Sequence, residues 1–234
     1  MCWERDSMKS VWVVAGTDTE VGKTVAAVAL ARSLHRQLPS LIALKPIESG
    51  IAVLSREQED GVRLARAIDQ VNPSEALIRL KDPVAPPLAA DREGRTLDWE
   101  VLLQEVQHHI ERGGGALIEG AGGLLSPLTW GHTTLDLASE LGAPLVLVVP
   151  DCLGALNQTR MAMAAARERG VRVACVVLSG GARPDHTTGH NREGLLRCHE
   201  FQGDMAPAII ELPQVGPGET GEHVFDSWVE RNVS

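Results

Sequence analysis

The chain is expected to be α/β, a doubly wound, mainly parallel sheet with helices on both faces. Short apolar, β-branched runs alternate with longer amphipathic stretches, as buried parallel strands and their crossover helices require. The first such run feeds a loop that ends Gly22-Lys23-Thr24, and an Ala-rich segment follows. Strand, glycine loop and helix in that order are the context of a phosphate-binding loop. At 234 residues, 44% hydrophobic and 23% charged, the chain has ordinary globular composition and enough length to bury a substantial core. It reads most simply as one domain over residues 1–234.

Each element has a local reason. Residues 11–15 are the first strand, and residues 24–38 the helix that leaves the loop. Leu41–Leu44 is the second strand, and residues 57–70 the second helix, with acids in its first turn where they are favourable. The Pro-rich stretch 82–87 is a loop. Residues 97–112 form a helix with Thr96 as N-cap, and residues 116–118 the third strand. The helix over 135–141 stops at Gly142, and the fourth strand runs over 145–149. The helix over 154–169 stops at Gly170, ahead of the fifth strand at 173–178. Residues 179–191 are too rich in Gly, His and Thr for regular structure. Ala208–Leu212 is the sixth strand, and residues 222–231 the last helix. No repeat, linker or low-complexity block interrupts the series.

Charge and composition exclude several functions. The net charge is −9 with no Lys/Arg run, whereas neutralising nucleic-acid phosphates needs a basic patch. Aromatics are 3% of residues and tyrosine is missing, so base-stacking platforms are disfavoured too. Cys2, Cys152, Cys175 and Cys198 form no C-x-x-C pair, which leaves free thiols rather than a zinc knuckle or redox motif. His186 and His190 lack metal-ligand neighbours at suitable spacing, His108 and His109 lie within a helix, and the 161–166 stretch is packing. Residues 1–10 contain Glu4, Arg5 and Asp6 and no apolar core, so they read as a short N-terminal extension, not a signal peptide. Met8 is an alternative start. No apolar run approaches a membrane span. A cytoplasmic protein with neither membrane nor nucleic-acid partners is expected.

In a doubly wound sheet, ligands bind beyond the carboxyl ends of the strands. The loop after the first strand, Gly16-Thr17-Asp18-Thr19-Glu20-Val21-Gly22-Lys23-Thr24, is one residue longer than the common G-x-x-x-x-G-K-[ST] spacing. Its backbone N–H groups and the helix N-terminus favour anions. Lys23 adds a charge on the terminal phosphates, and the Thr24 hydroxyl can ligate Mg²⁺. These features imply a P-loop NTPase type of fold. Lys45, pinned by Pro46 at the end of the second strand, suggests charge stabilisation of a transferring phosphoryl group or a bound carboxylate. Ser49 and Gly50 continue that loop toward a small polar substrate. Glu119 ends the third strand, as an acid serving Mg²⁺ or water would. Gly120-Ala121-Gly122-Gly123 then lets backbone approach a ligand. Asp60 closes the run Glu57-Gln58-Glu59-Asp60, which a favourable helix start explains equally well.

Together, G-T-D-T-E-V-G-K-T at 16–24, Lys45-Pro46 with Ser49-Gly50, Glu119 through Gly123, and Gly154 through Asn157 resemble the dethiobiotin synthetases of the biotin pathway, in family order over nearly the whole chain. The resemblance implies a ligase that closes the ureido ring of dethiobiotin. Its substrates would be 7,8-diaminopelargonate, CO₂ and ATP, with Mg²⁺, by way of a carbamate and a carbamic–phosphoric anhydride. It implies Lys23 and Lys45 as charge stabilisers, Thr24, Asp60 and Glu119 around Mg²⁺, and Thr19 and Ser49 at the diamine end. Thr19 is thus a catalytic candidate as well as part of the nucleotide loop, with Glu20, Val21, Gly22 and, opposite, Gly122. The resemblance further implies a homodimer in which Leu153, Gly154 and Asn157 reach the neighbour's substrate.

One position departs from the pattern. Many family members carry an adenine-reading Asn where this chain has Ser179, and serine cannot make the paired donor–acceptor contact. Glu211 or backbone near Pro213 would have to supply base recognition instead, and the preferred nucleotide is open. Two alternatives share the fold. Amide-forming ATPases such as the cobyrinate amidases usually carry a glutamine-hydrolysing domain, for which this chain has neither length nor Cys/His signature. Partitioning or septum-placement switches carry an early lysine in the phosphate loop, where this chain reads Thr17-Asp18-Thr19-Glu20, and the basic amphipathic tail that would bind a membrane is missing.

Overall fold

The structure is a computed structural model and describes residues 10–181, 183–216 and 219–233. Cys2 and the expected extension up to residue 9 lie outside the described residues. The elements in order are β1 (Ser10–Gly16), α1 (Lys23–Gln37), β2 (Leu41–Leu44), β3 (Ile47–Ser49), α2 (Asp60–Ala67), β4 (Ile78–Leu80), α3 (Pro86–Arg92), α4 (Trp99–Arg112) and β5 (Gly115–Gly123). They continue with β6 (Pro127–Thr129), β7 (His132–Thr133), α5 (Thr134–Glu140), β8 (Leu145–Pro150), α6 (Ala155–Glu168), β9 (Val173–Ser179), α7 (Asn191–Leu196), β10 (Ala208–Leu212) and α8 (Asp226–Asn232).

The main sheet has six strands in the order β10-β9-β8-β1-β5-β2, and every neighbouring pair is parallel. After β1 the chain builds β2 and β5 on one side, then crosses to β8, β9 and β10 on the other. The switch therefore falls at β1, whose carboxyl end carries the phosphate loop. Successive residues of β1 serve opposite faces, as a strand's period of two dictates. Val13 and Ala15 pack with Trp99, Leu102 and Val106 of α4, Leu135 of α5 and Ala162 of α6. Trp12 and Val14 pack with Ala27, Leu30 and Leu34 of α1, Leu64 of α2 and Trp228 of α8. Trp12 and Trp228 meet edge-on with centroids 6.2 Å apart, a geometry worth about 0.5–1.5 kcal/mol beyond buried area.

Several elements differ from the sequence pattern. The expected helix over 57–70 is broken: a 3-10 turn at Arg56–Gln58, boxed by Ser55 and Gln58, is followed by an extended Glu59 before α2 begins. The expected last helix likewise splits into a 3-10 turn at Glu222–Phe225 and α8. Asp98, not Thr96, caps α4, its side chain accepting the Val101 N–H. Part of the expected loop over 82–87 is helical, because Pro86 and Pro87 start α3 at positions where a missing N–H is harmless. Glu119 lies inside β5 rather than after it. The strand bulges between the pairs Val14–Glu119 and Gly16–Gly123, so the glycines expected as a loop remain at the sheet. The 47–49 stretch, expected as loop, pairs in parallel with β4 as a separate two-stranded sheet. Gly142 and Gly170 do follow their helices with φ of 58° and 67°.

Candidate functional site

The phosphate loop leaves β1 toward α1. Gly22 is the α1 N-cap at φ 90°, and a Cβ there would run into the Ser179 hydroxyl, so only glycine lets β9 approach the loop so closely. The first turn of α1 has neither an acidic residue nor a side-chain cap. Its N–H groups and the helix dipole are thus directed at whatever anion lies over the loop. Lys23 Nζ donates to Asp18 O at 2.9 Å, folding the ammonium back across the loop. Burial, then the charge of Lys45, pushes the Lys23 pKa down. Val21 is fully buried, so it offers a ligand only its backbone. The Thr17 hydroxyl donates to Gln158 Oε1 at 3.0 Å, tying the loop to the first turns of α6.

Lys45, at the end of β2, is the electrostatic centre of the cleft. It is 4% exposed, and its ammonium donates to Glu119 Oε1 (2.7 Å), Asp60 Oδ2 (2.9 Å) and Gly120 O (3.1 Å). Burial alone would lower its pKa, but Glu119 and Asp60 outweigh burial and hold the ammonium above its ordinary value. Burial likewise works to raise the Asp60 carboxyl, and Lys45 overcomes it and holds Asp60 below the usual range. The Thr24 hydroxyl donates to Glu119 Oε1 at 2.8 Å, which gathers Thr24, Lys45, Asp60 and Glu119 into one cluster. Asp60 and Glu119 thus share Lys45, with the Lys23 ammonium and the Arg63 guanidinium as further positive neighbours, while burial pushes the Glu119 carboxyl up.

The same cluster fits a Mg²⁺ ion. Glu119 Oε2 is buried without a hydrogen-bond partner, a hard oxygen in need of a positive neighbour. Among the described residues no group of three or more His, Cys, Asp or Glu side chains is placed to hold a metal. A sparse set of two carboxylates and a hydroxyl is what Mg²⁺ uses when substrate phosphates and waters complete its octahedron.

Two cavities flank the loop. One, of about 680 Å³, is lined by Thr19, Glu20, Gly22, Lys23, Thr24, Lys45, Ser49, Asp60 and Gly122, with residues 83–86 closing one side. Glu119 lies behind this wall, fully buried. The other, of about 630 Å³, is lined by Glu20, Gly22, Ser179, Pro213, Gln214 and Arg32 among others. Of the residues expected from sequence, Thr19, Glu20, Gly22, Lys23, Thr24, Lys45, Ser49, Asp60 and Gly122 thus surround the first space and Ser179 and Pro213 the second, while Val21 lines neither. Glu211 lines neither. It is exposed and lies 3.7 Å from Arg192. Leu153, Gly154 and Asn157 also line neither cavity and stand exposed at the start of α6. A separate groove of about 440 Å³ beside α6, lined by Arg160, Met163, Arg167 and Met205, touches none of these residues.

Sequence pattern does not indicate three contributors. Glu48 of β3 is buried and accepts the N–H groups of Asp60 (2.6 Å) and Gly61 (3.0 Å), so a distant strand caps α2 and sets where Asp60 stands. Ser126 Oγ accepts the Gly123 N–H at 2.8 Å and lines the first cavity. Arg63 lines both cavities. Only Arg63 leaves a trace in the sequence, its i+3 spacing from Asp60 along one helix.

Comparison with known proteins agrees with this geometry. Residues 11–215 match the family described as an AAA domain. An ATP-dependent dethiobiotin synthetase from Caulobacter vibrioides is 36% identical over 225 residues, covering 93% of this chain and 98% of that protein. This chain belongs to the dethiobiotin synthetase family. Further members are similar: one from Crocosphaera subtropica is 40% identical over 71% of this chain and 72% of its own, and one from Mycolicibacterium vanbaalenii 34% identical over 94% and 98%. Solved structures share the fold at low identity. The septum site-determining protein MinD of Pyrococcus horikoshii, complexed with Mg-ADP, aligns with a TM-score of 0.55 at 14% identity, covering 96% of each chain. The cell division ATPase MinD of Pyrococcus furiosus gives 0.54 at 16% identity, over 95% of this chain and 98% of that one. These two likenesses concern the α/β scaffold alone.

Proposed function

We propose that this dethiobiotin synthetase family member closes the ureido ring of dethiobiotin from 7,8-diaminopelargonate, CO₂ and ATP, a ligase step of biotin biosynthesis. One observation carries the reading at the level of residues: both lysines, Lys23 and Lys45, line one cavity together with Thr19, Thr24, Ser49 and Asp60. The substrate amine first takes up CO₂ as a carbamate. A carbamate oxygen then attacks the γ-phosphorus, ADP leaves, and a carbamic–phosphoric anhydride forms. The second amine attacks the carbamate carbon and releases phosphate. Carbamate and γ-phosphate are both anions, so the two ammonium groups offset a repulsion that water would otherwise have to screen. Ring closure then depends on positioning, which falls to Thr19 and Ser49 at the diamine end. When bound, Mg²⁺ supplies further neutralisation of the phosphates, held by Thr24, Asp60 and Glu119. Glu20, Val21, Gly22 and Gly122 supply loop contacts to the nucleotide, and Ser179 and Pro213 face its base.

The reading extends to assembly and setting. Leu153 precedes the N-cap of α6 while Asn157 and Met161 lie four residues apart on the helix, and Leu153 and Met161 are 71% and 65% exposed. A face of that kind supports a homodimer in which Leu153, Gly154 and Asn157 complete the partner's diamine site. Both packed layers share one sheet, which supports a single working domain. Among the described residues no helix is long and apolar enough to cross a membrane, and Cys152, Cys175 and Cys198 are free thiols. The free thiols support a reducing, cytoplasmic setting. The deciding experiment incubates the protein with diaminopelargonate, bicarbonate, Mg²⁺ and ATP and follows dethiobiotin by mass spectrometry alongside phosphate. Stoichiometric product is expected. Hydrolysis that proceeds without the diamine and yields no dethiobiotin would overturn the assignment.

A further inference from the structure

A nucleotide whose terminal phosphate lies by Lys45 and Thr24, and whose base lies by Ser179 and Pro213, must cross the boundary between the two cavities. Four residues line both spaces: Glu20, Gly22, Val25 and Arg63. Three of them belong to the phosphate loop and the first turn of α1. Arg63 alone comes from another element, α2, one turn beyond Asp60. Its guanidinium is half-buried, and its ion pair with Asp60 Oδ1 is 3.9 Å long, beyond hydrogen-bond distance. The other Asp60 oxygen is taken by Lys45. A guanidinium at a ligand crossing, without a close carboxylate, is a set of donors still to be used. Its planar fork matches two oxygens of a phosphate.

We propose that Arg63 binds the phosphate chain of the nucleotide from the α2 side, facing the N–H groups of the loop. This assignment rests on the ring-closing reading above only in taking ATP as the nucleotide. Lys23 and Lys45 address the reacting end, whereas Arg63 addresses the chain behind it. The consequence is a residue that governs nucleotide affinity more than chemistry, and one that α2 carries into place together with Asp60.

The test compares wild type with Arg63→Gln and Arg63→Lys. ADP affinity is measured by calorimetry, and the KM values for ATP and diaminopelargonate by steady-state kinetics. Arg63→Gln is expected to weaken ADP about 10-fold and raise the ATP KM in parallel, the scale of a lost charge-assisted contact at a half-exposed site. Arg63→Lys should recover part of the loss, since an ammonium keeps the charge but not the fork. The diamine KM and the melting temperature of the ligand-free protein should stay near wild type. Binding of ADP within twofold of wild type by Arg63→Gln would overturn the proposal, as would a rise confined to the diamine KM. A wild-type protein that binds ADP but makes no dethiobiotin would instead remove the ring-closing reading and leave the ADP titration to decide Arg63.

Discussion

Replacing Lys45 by Met tests the centre of the cleft, because all three ammonium donors are committed: to Glu119 Oε1, Asp60 Oδ2 and Gly120 O. Met preserves most of the stem, so packing changes little and the perturbation isolates the charge. Glu119 then loses its paired cation, and Asp60 keeps only the long ion pair with Arg63. Asp60 is 29% exposed and water can take over its solvation, but Glu119 is fully enclosed and keeps only the Thr24 hydroxyl as donor. Breaking a buried pair from one side costs about 3–5 kcal/mol. With Asp60 largely excused, the low end applies, about 3 kcal/mol, or a fall of about 6–12 °C in melting temperature for a chain of this size. Adding Glu119→Gln removes the stranded charge, so the double variant should recover about half of the loss or more. Urea unfolding of the ligand-free protein at neutral pH measures both, with an unchanged m-value as the check that the denatured state is comparable. A loss below about 1 kcal/mol for Lys45→Met, or a double variant less stable than the single one, would refute the claim that Lys45 neutralises a buried carboxylate.

Glu119→Gln should raise the Mg²⁺ concentration needed for half-maximal turnover while leaving the phosphate loop intact. An unchanged requirement would take Glu119 out of the metal set. Glu48→Ala removes the carboxylate that caps α2 from β3, so a stability loss of about 1–2 kcal/mol is expected, together with weaker turnover from a displaced Asp60; wild-type kinetics would show that α2 needs no such anchor. Specific activity should fall on dilution into the range where a homodimer dissociates, measured beside the sedimentation coefficient, and full activity in a monomer would contradict a shared site. Specificity constants for ATP, GTP, CTP and UTP should lie closer together than in a site with a base-reading amide, because Ser179 leaves no buried amide unpaired by the wrong base. A preference for ATP by several orders of magnitude would show that recognition comes from elsewhere in the second cavity.

The alternation of apolar runs was sufficient to locate all six strands of the main sheet, since residues buried on both faces write themselves as continuous hydrophobic stretches. Phosphate-loop geometry was legible for a similar reason. Its glycine, lysine and threonine act through neighbours in sequence, and each function needs that residue type at that spacing. What escaped the sequence is long-range. Glu48 caps a helix 12 residues away through a carboxylate that looks like any acid after a strand. The bulge that keeps the 120–123 stretch at the sheet depends on register with β1, which no local propensity encodes. β3 and β4 are three residues each, too short for periodicity to speak.

The arrangement around Lys45 also limits how substrate anions can reach it. An ammonium has three donors, and here each already has an acceptor. An anion in the cavity therefore gains a hydrogen bond from Lys45 only as Glu119, Asp60 or Gly120 gives way. Gly120 belongs to the β5 strand, and Glu119 is enclosed by protein, so neither moves cheaply. Asp60 is different. It is partly exposed, it begins α2, and its backbone N–H is held by the Glu48 carboxylate. Asp60 is thus the partner best placed to exchange, trading the lysine for a cation or for solvent while α2 stays capped. The pair of Lys45 with Glu119 is fully buried, whereas the pair with Asp60 borders the cavity. Arg63, one turn further along the same helix, would follow any shift of α2, which links the reacting end of the nucleotide to the chain behind it.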